Sequence, residues 1–231
     1  MKKTMVILAC TWAFWSCLKV DSPNTRLYEG AAIIKGLEAE RGVLMVLDDL
    51  IMITPKLSAE NLSVGDLLWV SMLVQDDKQI GEDTLFVSDI AFLKIEKCSA
   101  KPATGTPSVF TCPIDRAIMW RNHAGNFWVF EFEQIAGQGQ IFEYEMQFEK
   151  KAGEAHPTAY LRSRKVNEVD GTNTHVVSFF GFDLTPLINE YANKEAGTLS
   201  FYVRLLSGFC SSEEEIFTPL LPGFITVNVK K

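Results

Sequence analysis

The sequence predicts an all-β protein: a small OB-like barrel followed by an immunoglobulin-like β-sandwich, after a cleaved N-terminal signal peptide. Three observations predict it. Apolar and polar residues alternate with period two through most of the chain, which is the pattern of half-buried strands. Proline and glycine crowd one stretch, Cys98 to Pro113, and break that pattern near the middle. A helix signal occurs once. With 231 residues the chain has room for one or two domains, and a hydrophobic content of 47% excludes disorder for most of it.

The N-terminus reads first as a targeting segment. Met1-Lys2-Lys3 is a basic start, and Thr4 to Trp15 is an uncharged apolar run. At 1.5 Å per residue, a run of about twelve residues is too short to span a bilayer core of roughly 30 Å. Ser16 is small and precedes Cys17, so residues 1–16 read as a signal peptide ending at a lipid-modified Cys17. Cys10, after Ile7-Leu8-Ala9, is the rival site, but it leaves a very short apolar region. An acylated Cys17 anchors the protein to a membrane through several chains, and residues 17–26 become a lipidated tether. The expected address is the cell envelope, lipid-anchored in the outer membrane.

Loss of residues 1–16 removes Lys2 and Lys3 and no acid, leaving 20 basic against 29 acidic side chains. So acidic a chain repels phosphate backbones, which argues against nucleic acid as a partner.

The strands follow in order. Residues 27–97 hold five strand segments, near 29–35, 42–47, 50–54, 66–75 and 84–97, the strand count of an OB-like barrel. Residues 98–112 form a linker. Residues 113–231 suit a seven-stranded sandwich, with segments near 126–135, 158–165 and 174–183. In three further strands the alternation is explicit: Phe142, Tyr144, Met146 and Phe148; Leu199, Phe201, Val203 and Leu205; Ile225, Val227 and Val229. Glu143, Glu145 and Gln147 fall on the opposite, wet face. The helix is signalled by Thr185 as cap, Pro186 at the first position and Gly197 as terminator.

With these segments placed, the chain resembles the NigD-like lipoproteins of Gram-negative anaerobes. The resembling stretches are 42–49 (GVLMVLDD), 63–79 (SVGDLLWVSMLVQDDKQ), 84–97 (TLFVSDIAFLKIEK), 126–134 (NFWVFEFEQ), 177–187 (VSFFGFDLTPL) and 198–206 (TLSFYVRLL). The resemblance implies a lipidated cysteine, an N-terminal OB-type domain and a C-terminal sandwich, with no catalytic residues to carry over. The family name comes from a bacteriocin-associated operon. Leu50 follows Asp48-Asp49 where the family places a glycine.

Candidate chemistry is sparse. Glu143 and Glu145, two apart on a strand, put their carboxylates about 7 Å apart, a separation used by inverting glycosidases; a solvated strand face is the favoured reading, for these as for Glu131 and Glu133. His123, His156 and His175 have no metal-ligand spacing. The acidic tips at 76–83 and 211–215 lack the ligand spacing of an EF-hand. No cofactor is expected. Phe127, Trp128, Phe130 and Phe132 occupy both faces of one strand, and Trp120 precedes it. Trp120, Trp128 and Phe130 are therefore the expected binding residues, because exposed aromatics mark interaction surfaces. Export into an oxidising compartment leads to an expected disulfide between Cys98 and Cys112, closing a loop worth roughly 3 kcal/mol in the chain-entropy account.

The sequence thus reads as a membrane-anchored, non-catalytic binding or adaptor module for an envelope protein, peptide or glycan, with a cleft expected where two small domains join. A bacteriocin-associated immunity or accessory role is the alternative. A glycan hydrolase using the strand glutamates is the third reading.

Overall fold

A computed structural model describes residues 25–46, 50–55, 57, 61–79, 84–104, 108–120, 123–169, 172–209 and 214–229. The expected signal peptide, Cys10, Cys17, most of the expected tether, Asp48-Asp49 and Cys210 lie outside them. Among the described residues the fold is all-β with one short helix, and the chain divides into two compact units. One comprises the chain up to Lys97 together with Trp120–Val129; the other comprises Cys98–Met119 and Phe130–Lys231.

The first unit holds β1 (Thr25–Leu37), β2 (Arg41–Met45), β3 (Ile51–Pro55), β4 (Leu67–Gln79) and most of β5 (Thr84–Ser99). β1 pairs antiparallel with β2 and β4, β2 with β3, and β4 with β5. β3 then pairs parallel with β5, Ile53 opposite Phe86, and closes the ring. Closure removes the free edges that an open five-stranded sheet would expose. Alternation decides the inside: Leu68, Val70, Met72 and Val74 of β4 meet Ala32, Ile34, Leu44 and Met52. Full burial of a side chain such as Met72 stabilises by about 1.5–3 kcal/mol. A register shift between Ile34 and Gly36 bends β1, as barrels require.

The turn before β4 is fixed by charge. Asp66 Oδ2 accepts the Ser63 amide at 2.9 Å and meets Lys94 Nζ at 2.6 Å. Gly65 carries φ 91°, the left-handed region where a Cβ is penalised.

In the second unit, β7 (Arg116–Met119), β8 (Phe127–Gly137, from Phe130 onward) and β11 (Asn173–Asp183) form one layer. The other layer runs β13-β12-β10-β9-β6, with β6 (Lys101–Pro102), β9 (Phe142–Glu149), β10 (Thr158–Lys165), β12 (Thr198–Phe209) and β13 (Glu215–Pro219); β14 (Ile225–Asn228) also pairs with β12. Two pairings are parallel, β10 with β12 and β6 with β9. The interior is aromatic: Phe132 stacks on Tyr144 at 3.9 Å between centroids, and Phe182 meets Phe130 edge-on at 5.5 Å.

Gln134 threads this core. Its Nε2 donates to Pro113 O and Ser163 Oγ, both at 2.9 Å, and its Oε1 accepts from the Tyr144 hydroxyl at 2.8 Å. Ser163 passes its own proton to Cys112 O at 3.0 Å. The helix α1 (Thr185–Tyr191) lies between β11 and β12. Its cap differs from the expected one. Leu184 holds the cap position without a side-chain bond, Asp183 Oδ1 just before it accepts the Thr185 amide and hydroxyl, and the helix ends at Ala192, five residues short of Gly197.

Candidate functional site

The apolar face of the aromatic strand is covered, which corrects the expectation for Trp128 and Phe130. Trp128 and Phe130 are buried, at 7% and 0% exposure. Phe130 packs on Phe132 and Phe182. Trp128 stacks on His123, whose ring lies 4.5 Å away and is held by Gly125 O at 2.9 Å. Trp120 is half-buried against Trp69, centroids 4.8 Å apart. Its indole N–H is buried without an acceptor among the described residues. Trp128, Phe130 and Phe132 share one covered face, while Glu131, Glu133 and Ile135 on the other are half-buried or exposed.

The expected disulfide is also corrected. Cys98 and Cys112 are free thiols. Cys112 N donates to Ser163 O at 2.8 Å, on the side of β10 away from β9. Ser163 is paired with Tyr144 across β9 and β10, and Cys98 Sγ reaches Tyr144 O at 3.8 Å. Because the Ser163 carbonyl points away from β9, this is a pair without mutual hydrogen bonds, and the Tyr144 carbonyl points away from β10. Two strands therefore separate the cysteines. At about 4.8 Å per strand spacing this far exceeds the roughly 7 Å that a disulfide tolerates between Cα atoms. Burial pushes the Cys98 thiol up to about 11; Lys101 opposes this and Glu145 adds to it.

A polar network appears on the outer face of the larger sheet, where the sequence indicated only wet glutamates. Glu145 is 5% exposed and Arg162 9%. Glu145 Oε1 accepts Ser108 Oγ at 2.7 Å and Gln147 Nε2 at 2.9 Å, while its Oε2 meets Lys101 Nζ at 2.5 Å. Arg162 grips Glu215 through two parallel bonds of 2.8 Å and donates to Gln147 Oε1 at 3.2 Å. Arg164 holds Glu143, and its guanidinium lies 4.8 Å above the Phe110 ring. The forked geometry is the one Arg provides for carboxylates. The covering residues Lys101, Ser108 and Phe110 come from the segment read as linker, over forty residues before Arg162. The feature that could have signalled the network is Arg162 and Arg164 alternating on β10 opposite Glu143 and Glu145 on β9.

Chemically, the two strand glutamates are each locked to a cation rather than poised as an acid and base pair. His175 Nδ1 lies 2.5 Å from Glu133 Oε1 on an exposed face, with Arg116 at 3.5 Å from the same carboxylate. Among the described residues no three of His, Cys, Asp and Glu gather as metal ligands would.

No protein-family model matches the chain, and no curated protein matches its sequence. Solved structures do. An uncharacterized protein from Parabacteroides merdae superposes with a TM-score of 0.66 at 12% identity, covering 88% of this chain and 100% of its own. A NigD-like immunity protein from Bacteroides caccae gives 0.53 at 10% identity, over 85% of this chain and 93% of its own. A candidate lipoprotein from Bacteroides fragilis gives 0.53 at 10% identity, over 89% and 99%. At such identities the likeness establishes a shared fold. That fold is consistent with the NigD-like resemblance read from the sequence, and none of the three is described as an enzyme.

Proposed function

We propose that the chain is a NigD-like envelope lipoprotein, anchored by Cys17 in the outer membrane, that works as a non-catalytic binding or adaptor module. The observation that carries this is the shared fold with an immunity protein and a candidate lipoprotein over nearly their whole lengths, met by an N-terminus of signal-peptide and lipid-cysteine type. Two or more acyl chains give stable attachment, so Cys17 alone accounts for membrane residence. The locked glutamates support a binding rather than a hydrolytic role.

The test has two arms. Cells fed an alkynyl fatty acid should label the wild type and Cys10→Ala equally, and should not label Cys17→Ala, which should leave the membrane fraction. Equal labelling of the Cys17 variant sinks the anchor. Purified protein should hydrolyse no envelope glycan; turnover that disappears with Glu143→Gln or Glu145→Gln sinks the non-catalytic reading. An immunity role is a special case of binding, favoured by the NigD-like neighbour. Deletion of the chain should then sensitise its own cells to a bacteriocin made beside it.

A further inference from the structure

The outer face of the larger sheet changes character along β12. Phe201 and Val203 are buried on the core face, so Ser200, Tyr202 and Arg204 line the outer one. The registers bring neighbours onto the same face: β14 sets Thr226 opposite Ser200, and β13 sets Pro219 opposite Arg204. Phe224, just before β14, and His156, just before β10, close around Tyr202. The three ring centroids lie between 4.5 and 6.2 Å apart, with Tyr202 and Phe224 crossed at 89°. Phe224 is 52% exposed, and Tyr202 and His156 are half-buried. Beside the rings, Ser200 Oγ and Thr226 Oγ1 are 2.8 Å apart, and either can donate to the other.

Charge and backbone select the occupant. Elsewhere on this face the charges neutralise one another: Arg162 with Glu215, Arg164 with Glu143, Lys101 with Glu145, and Lys151 with Glu149. Glu154, in the turn before His156, accepts the Lys151 amide at 3.3 Å. Arg204 is exposed and forms no ion pair among the described residues. β12 is hydrogen-bonded along both edges here, by β10 on one side and by β14 and β13 on the other. It therefore offers no strand edge to an extended polypeptide. What it offers is ring surface, hydroxyls that both donate and accept, and one unpaired guanidinium. A hexuronic acid matches each of these. Its C–H face stacks on a ring, its hydroxyls meet Ser200 and Thr226, and its carboxylate takes the guanidinium fork. Arg204 and Ser200 stand four residues apart on β12, roughly 13 Å at the rise of a strand, a span that suits a chain of sugars. We propose that this face binds an acidic glycan built from hexuronic acids, with Phe224 and Tyr202 as the stacking platform and Arg204 as the carboxylate clamp. This rests on the binding-module reading and names the ligand class.

The probes are oligogalacturonate, oligomannuronate and hyaluronan oligosaccharides, each with its methyl ester, titrated into the purified full chain. At least one acid should bind, and its ester should bind more weakly. Phe224→Ala and Arg204→Gln should each weaken that acid about tenfold, as expected for anchors of a small site. Arg204→Gln should change the ester's affinity far less, because the ester has no carboxylate to lose. Ile135→Ser, in the other layer, should bind as the parent does. Raising salt from roughly 0.05 M to 0.3 M should weaken the acid and spare the ester. Nuclear magnetic resonance shifts on the unmutated chain guard against unfolded variants: the bound acid should move residues 156–160, 200–204 and 224–226. Binding of none of the acids, equal affinity for acid and ester, shifts centred elsewhere, or a proline-rich peptide that binds this face more tightly than every acid each overturns the proposal. Such a failure with Cys17 labelling intact removes the glycan site and leaves the lipoprotein reading standing.

Discussion

Replacing Gln134 tests whether the sandwich depends on its one threaded amide. Gln134 is 3% exposed and its three hydrogen bonds fix Pro113, Ser163 and Tyr144 at once. Methionine keeps the length of the side chain while deleting every bond. Each net hydrogen bond contributes about 1 kcal/mol, and stranding a buried partner costs about 1–3 kcal/mol. Pro113 is exposed, Ser163 keeps Cys112 O, and the Tyr144 hydroxyl is left with Ser178 alone inside the core. Gln134→Met should therefore destabilise by roughly 2–4 kcal/mol, and Gln134→Ala by roughly 3–5 kcal/mol once the cavity is added. Tyr144→Phe alone should cost about 1–2 kcal/mol, and the double change Gln134→Met/Tyr144→Phe clearly less than the sum, because both polar partners are then gone. Urea unfolding followed by far-ultraviolet circular dichroism gives the energies. Hydrogen exchange localises them: the Cys112 and Ile114 amides, bonded to Ser163 O and Leu206 O at 2.8 Å, should lose protection. A Gln134→Met change under about 1 kcal/mol, or strict additivity with Tyr144→Phe, would show that packing alone holds this core.

Other outcomes follow from the same structure. Gly42→Ala places a Cβ 2.7 Å from both Leu57 Cδ1 and Thr54 Oγ1, so it should destabilise the barrel by about 1–3 kcal/mol, read from the midpoint of tryptophan fluorescence in urea. Burial opposes ionisation of Asp66, but the Lys94 ammonium, the Ser63 amide and the Lys97 charge outweigh it and hold the carboxyl below its ordinary range. Its contribution is complete above the unfolded value near 4 and disappears as pH falls through the lower folded value, so Asp66→Asn should lose less stability on acidification below about pH 4 than the parent does. With its thiol pushed up to about 11, Cys98 should resist iodoacetamide at neutral to mildly alkaline pH until the protein is unfolded, as mass spectrometry of digests will show. Rapid native labelling of Cys98, or a native mass two hydrogens light, would contradict the free, half-buried thiol.

Much of the fold was legible in the residues. Period two in Leu68, Val70, Met72 and Val74 names the inner face of β4 without any structure, because side chains on a strand alternate by geometry alone. The helix at Thr185–Tyr191 was legible from Pro186 and the apolar pair that follows. The candidate site was much less so. On β9 the alternation assigns Phe142, Tyr144, Met146 and Phe148 to the core, and they are there. The same alternation assigns Glu145 to water, and it is buried, because Lys101 and Ser108 cross over it.

By itself the sequence determined the local terms: which segments are strands, which face of each is apolar and where the chain turns. These depend on neighbours within a few positions. Tertiary structure alone decided which face of β8 is covered, making Trp128 and Phe130 core, and what lies over the second face of β9, making Glu145 an ion-pair partner. It alone decided that two strands stand between Cys98 and Cys112. Each of these is set by which distant strands become neighbours and in which direction they run, and strand pairing is a long-range choice that no periodicity within a segment encodes.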